Sequence, residues 1–228
     1  MIRLPLLMAC SCLCVTLLLA GCASPTQSPT IPSPSPVAPS ALTSSGKWSF
    51  DTDPVGGLPT GAQAFSGSWA VRAESDAPSA PNAMCQTDSA DFPAIMLDPK
   101  PYTDIVFVAR FKPISGSTDR AAGLIFRIKD KGNYYILRAN ALENNVNLYK
   151  YVDSRRTDLK DGQAKVESGK WQELRVEARG QTLRGFLNGQ PVVETIDNTF
   201  SGAGGIGLWT KADSQTCFDD VEVSVPSA

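Results

Sequence analysis

Arginine, asparagine and aromatic side chains alternate with apolar ones in residues 121–153, and similar side chains occur at positions 110, 209 and 211. Guanidinium and amide groups form directed hydrogen bonds, and aromatic rings offer flat apolar faces, a combination that suits saccharides. The candidate binding residues are Arg110, Arg127, Arg138, Asn140, Tyr149, Trp209 and Lys211. The alternative is that these cations pair with Asp104, Glu143 or Asp130 across a solvent-exposed sheet face.

Trp209 shows the same ambiguity. It alternates with Ile206 and Leu208, which predicts that its ring faces away from the core and is available for stacking on a sugar ring. The alternative is packing at the edge of the core, because tryptophan is rarely fully buried.

Catalysis has few candidate residues. Glycoside hydrolysis uses two carboxylates about 5 to 9 Å apart, and the spacing Glu-x-Asp-x-x-Glu is absent from this chain. Glu143 and Asp213 are the candidate acids, with a solvated loop carboxylate as the alternative for each. The chain contains no histidine, which excludes Ser-His-Asp and Cys-His catalysis and every histidine-ligated metal site.

Four aspartates near the two ends of the predicted domain are candidate ligands of a structural Ca²⁺, and no other cofactor is expected. They are Asp51, Asp53, Asp219 and Asp220. Ca²⁺ prefers carboxylate and carbonyl oxygens, and first and last strands are often neighbours. The alternative is that these carboxylates accept backbone N–H bonds in turns.

Cys85 and Cys217 are the only cysteines beyond the N-terminal segment. An even number of cysteines in a domain that folds outside the cytoplasm favours a disulfide. The alternative is that they are two small buried apolar residues.

Three consecutive strands are predicted at residues 123–129, 134–140 and 146–152, because β-branched and aromatic runs are separated there by turn residues. Period-two alternation divides each run into two faces. Leu124, Phe126 and Ile128 are predicted on the buried face. The opposite face receives Arg127 together with Tyr134, Ile136, Arg138 and Asn140.

Further strands are predicted at short intervals along the rest of the chain, at residues 69–73, 82–87, 94–97, 104–112, 170–178, 182–187, 191–196, 206–209 and 218–225. Asn188-Gly189 lies between two of them and is typical of a type I′ hairpin turn. No stretch has sustained helical periodicity. This pattern predicts an all-β sandwich or barrel.

The composition suits one folded domain with appendages. The chain has 228 residues, 42% of them hydrophobic and 19% charged. The formal net charge of −2 gives no reason to expect nucleic acid as a partner.

The N-terminus resembles that of a bacterial lipoprotein. One cation and a short apolar run precede Leu19-Ala20-Gly21-Cys22, which resembles the lipobox. The resemblance implies a signal peptide at residues 1–21, acylation of Cys22 and attachment to the cell envelope, at the outer membrane in a Gram-negative cell because Ala23 is not Asp. The alternatives are an ordinary secretory signal and an uncut membrane anchor.

Residues 22–46 are predicted to be a tether. Proline, serine and threonine dominate this segment, and it has no charged residue. Such a composition does not bury enough apolar surface to fold. Residues 47–228 then form the domain.

Several segments of that domain together resemble the 3-keto-disaccharide hydrolase domain family, a branch of the concanavalin A-like jelly rolls. They are residues 48–51 (WSFD), 54–59 (PVGGLP), 133–135 (NYY), 138–145 (RANALENN), Trp171, 187–189 (LNG), 207–214 (GLWTKADS) and 218–220 (FDD). The resemblance implies a jelly-roll sandwich of two antiparallel sheets, one of them concave and facing a sugar.

Three functions are compatible with these observations. The first is a non-catalytic or accessory domain that binds a saccharide or glycoconjugate, is monomeric and touches the membrane only through its lipid anchor. The second is an enzyme acting on 3-keto-disaccharides or other glycosides, as the family name implies. The third is an envelope scaffold that binds protein.

Overall fold

The computed structural model describes residues 42–226, and the predictions for residues 1–21, for Cys22 and for the first part of the tether lie outside them. The described residues form fifteen strands. These are β1 (Leu42–Trp48), β2 (Gln63–Ser66), β3 (Trp69–Ala73), β4 (Asn82–Gln86), β5 (Ala94–Tyr102), β6 (Ile105–Ser115), β7 (Ala121–Asp130), β8 (Asn133–Asn140), β9 (Asn145–Val152), β10 (Arg155–Lys160), β11 (Gln172–Arg179), β12 (Thr182–Leu187), β13 (Gln190–Ile196), β14 (Gly204–Trp209) and β15 (Gln215–Pro226). This part of the chain contains no helix that could cross a membrane.

The strands form two antiparallel sheets. Sheet A has the order β13-β12-β11-β6-β15-β4-β3, with β1 also paired to β15, and sheet B has the order β10-β9-β8-β7-β14-β5-β2. Their inner faces enclose one apolar core, in which Phe107 and Phe218 of sheet A pack with Phe126, Leu137 and others of sheet B. The predicted jelly-roll sandwich is confirmed.

The central meander forms as predicted, with one change of phase. Leu124, Phe126 and Leu137 lie in the core, and Tyr134 and Ile136 lie on the opposite face. The register between β7 and β8 shifts after Phe126, and Arg127 has a positive φ of 50°. A β-bulge at this point moves the side chains of the remaining residues of β7 to the opposite face.

This bulge corrects two predictions. Ile128 leaves the core side and joins the outer face of sheet B. Arg127 turns away from that face and is fully buried at one end of the sandwich. There its guanidinium donates hydrogen bonds to the carbonyl oxygens of Thr103, Gly180 and Phe200. Arg127 therefore closes the end of the fold and does not contribute to the predicted binding surface.

The domain begins earlier than the composition indicates. Strand β1 starts at Leu42, which pairs with Pro226, and continues to Trp48, which pairs with Val221. The last residues of the predicted tether are thus part of sheet A. The backbone groups of β1 form hydrogen bonds with β15. The sequence of β1 lacks the regular alternation of a strand and therefore did not predict this pairing.

Two local predictions are confirmed by backbone geometry. Asn188 and Gly189 both have positive φ, 50° and 77°, as a type I′ turn requires. Cys85 and Cys217 face each other on β4 and β15 and form a disulfide across a separation of 132 residues. In the chain-entropy model, a cross-link that closes a loop of this length destabilises the unfolded state by about 5 kcal/mol.

A hydrogen-bond network fastens the segment after β13 to sheet B. The Tyr135 hydroxyl and the Lys150 ammonium donate to the two carboxylate oxygens of Asp197, at 2.6 and 2.9 Å, and the Tyr135 hydroxyl accepts from the Phe200 N–H. Burial alone would raise the pKa of Asp197, but the hydrogen bonds from Tyr135, Thr199 and Lys150 outweigh it and lower the pKa to about 2.

We expect Asp197→Asn to destabilise the domain by about 2 kcal/mol at pH 7, the equivalent of the lowered pKa. Because the carboxylate is more acidic in the folded state, its contribution is complete above pH 4 and disappears as the pH falls towards 2. Urea unfolding of parent and variant between pH 7 and pH 2 measures the difference. Asp161→Asn, at an exposed acid, is the control. A difference that stays constant with pH would contradict the prediction.

Candidate functional site

The outer face of sheet B, which points away from the core, carries most of the predicted binding residues. Its apolar and aromatic part includes Ile125, Tyr134, Ile136, Tyr149 and Trp209. Arg138 and Asn140 follow Ile136 in the same alternation phase on β8. The predicted face of Arg138 and Asn140 is therefore correct. Their side chains are nevertheless almost entirely buried, and what covers them decides what the face can bind.

At one end of this face, charged and amide groups form a cluster around Asp119. The cluster, called the charged cluster below, consists of Asp119, Arg138, Asn140, Glu143, Asn145 and Lys211. The Lys211 ammonium and the Asn140 amide donate to the two oxygens of Asp119 at 2.5 and 2.7 Å. The Arg138 guanidinium lies 3.7 Å from the same carboxylate. Asp119 thus offsets cations that would otherwise repel each other.

Arg138 also binds the turn that follows β8. Its guanidinium donates to the Glu143 carboxylate at 2.5 Å and to the Asn145 amide oxygen at 2.9 Å. It lies 5.3 Å from the centre of the Tyr149 ring. With only 3% of its side chain exposed, Arg138 is committed to the protein itself, while Glu143 remains 49% exposed.

Asp213, predicted as a candidate acid, holds the loop that delivers Asp119. Its carboxylate accepts the backbone N–H groups of Ser117, Thr118 and Asp119 at 2.7 to 3.1 Å. These hydrogen bonds lower the pKa of Asp213 well below its usual range, which favours the ionised carboxylate and makes Asp213 a poor general acid at neutral pH. Gly116 is required in this loop, because its φ is 134° and a Cβ would lie 1.9 Å from the Asp119 carbonyl oxygen.

Aromatic rings continue the outer face beyond the charged cluster. Trp209 has the predicted orientation, but Phe92, from the loop before β5, covers it with nearly parallel rings 5.9 Å apart. Phe92 also meets the Tyr151 ring edge-on at 5.5 Å, and Tyr151 stacks on Tyr134 at 4.9 Å. The stacking surface is therefore formed by Phe92 and Tyr151 and not by Trp209.

These rings form the wall of an open pocket of about 410 Å³. The aromatic pocket, as it is called below, is lined by Phe65, Ser66, Asp91, Phe92, Ala94, Lys131, Tyr134, Tyr151 and Ser154. Asp91 and Lys131 are exposed at its rim. It lies beside the turn between β7 and β8, at the opposite end of the face from Glu143.

Arg110 does not belong to this surface. It lies on β6 in sheet A, opposite Glu173 of β11, and alternates with the core residues Ala109 and Phe111. Its side chain therefore points from the outer face of sheet A, on the other side of the molecule. The prediction failed because β6 and β7 are consecutive in sequence but belong to different sheets.

The four aspartates considered for Ca²⁺ do not come together as a group. Within residues 42–226, the only three Cys, Asp or Glu ligand atoms within 4.8 Å of one another belong to Glu74, Cys85 and Cys217, and the two cysteines are joined. Asp51 accepts the Asn82 N–H at the start of β4, and Asp219 accepts the Ser79 N–H from a distant part of the chain.

Three residues that shape the site were not predicted. Asp119 and Phe92 lie in loops, where alternation gives no information. Arg156 lies on β10, whose sequence Arg-Arg-Thr-Asp-Leu-Lys lacks the apolar alternation of a strand. The only signal for Phe92 in the sequence was that it is a large apolar residue within a polar loop. Exposure of its ring to water is unfavourable, so the ring is expected to pack on an apolar surface.

We expect Arg138→Ala to destabilise the domain by about 3 kcal/mol, because it removes one partner from a buried network and leaves Asp119 less well paired. Chemical unfolding measures the loss, with Arg179→Ala at an exposed position of sheet A as the control. Equal stability of the two variants would contradict the structural role assigned to Arg138.

Comparison with solved structures places the fold among jelly rolls. The carbohydrate-binding module CBM66 from Bacillus subtilis has 22% sequence identity and a TM-score of 0.62, over 73% of this chain and 96% of that one. Domain 4 of an extracellular arabinanase from Geobacillus stearothermophilus, solved in complex with arabinotriose, has 16% identity and a TM-score of 0.57, over 81% and 93%. A Bacillus subtilis protein of unknown function with a galectin-like fold has 16% identity and a TM-score of 0.53, over 73% and 91%.

No curated protein matches the chain. The domain family resemblance noted in the sequence is confirmed, since the match covers residues 61–224 and thus most of the chain. The chain belongs to the family of 3-keto-alpha-glucoside-1,2-lyase-like domains.

Proposed function

We propose that the domain binds saccharide along the outer face of sheet B, with the aromatic pocket as the principal subsite. The observation that carries this proposal is the composition of the pocket. Aromatic side chains form one side, and Asp91, Lys131 and Ser154 supply acceptors and donors at the rim. A few polar groups around an aromatic floor are typical of small-molecule sites, and they match a sugar ring with apolar faces and a polar edge.

The same face offers a second contact region at the charged cluster. Tyr134 and Arg138 are four residues apart on β8, so the two ends of the face are separated by about 13 Å. Glu143 is 49% exposed there, and Lys211 is 25% exposed. An oligosaccharide lying in the pocket and extending along β8 would reach these groups.

The comparisons support this proposal at the level of the fold. Two similar structures are a carbohydrate-binding module and an arabinanase domain solved with arabinotriose. Because their sequence identity to this chain is low, the support comes from a shared scaffold, and the site itself is argued from the residues of this chain.

A lyase or hydrolase activity is the second candidate, and one observation favours it. The carboxylates of Asp119 and Glu143 both contact the Arg138 guanidinium, so two acids lie close together, Glu143 exposed and Asp119 buried. Burial alone would raise the pKa of Glu143, but hydrogen bonding to Asn145 and the charge of Arg138 outweigh it and lower the pKa. Glu143 is therefore suited to act as a base or ligand and not as a general acid at neutral pH.

We further propose that acylated Cys22 anchors the protein to the cell envelope, with the saccharide-binding domain carried on the segment that follows. The proposal rests on the lipobox-like Leu19-Ala20-Gly21-Cys22.

We expect Tyr151→Ala to weaken saccharide binding about tenfold, since it removes one ring of the aromatic wall. Titration calorimetry against a panel of oligosaccharides measures the change. Phe186→Ala removes a ring from the outer face of sheet A and serves as the control. Equal affinities of parent and Tyr151→Ala, with both proteins folded, would show that the pocket is not the binding site.

If the protein is an enzyme, it should turn over 3-keto-glucosides or related glycosides, and Glu143→Gln should lower kcat at least about 100-fold as expected for loss of a general base. Product analysis by chromatography is the measurement. Binding without turnover across the panel would exclude this second function for those substrates.

Cys22→Ser should abolish acylation and leave unprocessed precursor. Metabolic labelling with palmitate in a bacterial host measures incorporation. Labelling of the variant equal to that of the parent would refute the anchor.

A further inference from the structure

A second arginine on the outer face of sheet B, Arg156, differs from Arg138 in one respect. It lies on the edge strand β10, where it pairs with Tyr151. Its guanidinium is 4.4 Å from the centre of the Tyr149 ring and 5.5 Å from that of Phe92. Arg156 therefore lies between the aromatic pocket, which Phe92 lines, and the charged cluster, whose Arg138 shares the Tyr149 ring.

The two cations of the charged cluster have carboxylate partners supplied by the protein. Arg138 is paired with Glu143 and Asp119, and Lys211 is paired with Asp119. Arg156 forms no ion pair with any carboxylate of residues 42–226. Asp158, two residues further along the same strand, is also outside ion-pair distance.

One guanidinium nitrogen of Arg156 is both buried and without a hydrogen-bond acceptor in the described part of the chain. A buried polar hydrogen without an acceptor is unfavourable, and a partly desolvated charge without a counter-charge is more so. The two aromatic rings offset only part of this cost, because a cation–π contact contributes less than a charge-assisted hydrogen bond.

A ligand group that completes this arrangement must supply acceptor oxygens and negative charge together. A hydroxyl group would satisfy a hydrogen bond but not the charge, whereas a carboxylate satisfies both and matches the planar fork of a guanidinium. The rim of the aromatic pocket carries Asp91 as well as Lys131, so the preference for charge comes from Arg156 and not from the rim.

We propose that Arg156 determines specificity for an acidic saccharide, whose carboxylate binds the guanidinium while a sugar ring occupies the aromatic pocket. This inference rests on the proposed saccharide binding and names its ligand class, the uronates. Arg138 and Arg156 both contact the Tyr149 ring. Arg138 is paired with the carboxylate of Glu143, whereas Arg156 would be paired with the carboxylate of the bound sugar.

The test uses trisaccharides of galacturonate, glucuronate and mannuronate, each compared by titration calorimetry with its methyl ester. Esterification keeps the ring and removes the charge. For at least one sugar, we expect the full-length protein to bind the free acid at least about tenfold more tightly than the ester, as a charge-assisted bidentate contact implies.

Arg156→Ala should abolish that difference in affinity. Arg156→Lys should retain only part of it, because lysine keeps the positive charge but lacks the planar guanidinium that binds a carboxylate through two hydrogen bonds. Arg155→Ala is the matched control, since it removes the same charge from the adjacent, exposed position on the opposite face of β10. Thermal melting establishes that every variant is folded.

The inference would be overturned if esters and acids bound equally, or if Arg155→Ala lowered the affinity as much as Arg156→Ala. Neutral sugars that bind in a manner sensitive to Tyr151→Ala but not to Arg156→Ala would leave the proposed function intact and remove only the acidic specificity. No binding by acids, esters or neutral oligosaccharides would overturn both proposals.

Discussion

The ionic contacts of Asp119 are the constraint on which the outer face of sheet B depends. Arg138 lies on β8 and Lys211 in the segment between β14 and β15, and both are brought to one end of this face, where water is largely excluded from Arg138. Two cations in that position repel each other unless an anion lies between them. Asp119 is that anion, and Asp213 fixes it by accepting the N–H groups of its loop. The loop before β7 is thus as important to the face as the strands.

The alternation of the sequence predicted the strands and the direction of their side chains wherever the strands are regular. Tyr134, Ile136 and Arg138 lie on the face assigned to them, and so does Trp209. The prediction failed at Arg127, because one bulge reverses the phase, and bulges leave no reliable trace in composition. It also failed at Arg110, because alternation within a strand says nothing about which sheet the strand joins.

The contents of the site were much harder to predict than its location. Phe92 reaches Trp209 from 117 positions earlier in the sequence, and Asp119 reaches Lys211 across 92 positions. Such contacts depend on how loops fold over the sheet, which local propensity does not determine. The result is a face whose predicted ligand groups largely satisfy each other, and whose accessible surface is formed by residues that a strand pattern does not distinguish.

The pairing of β1 with β15 has a mechanical consequence. Any force transmitted along the chain from its N-terminal side enters the domain at Leu42 and is first resisted by the hydrogen bonds between β1 and β15. Strand β15 passes that load to β6 and β4 on its two sides, and the bond between Cys217 and Cys85 joins it covalently to β4. The strand that receives the load is therefore the one most firmly fixed within sheet A, far from the face that carries Arg138 and Tyr151. Tension could fray β1 while the sheet that forms the aromatic pocket kept its shape.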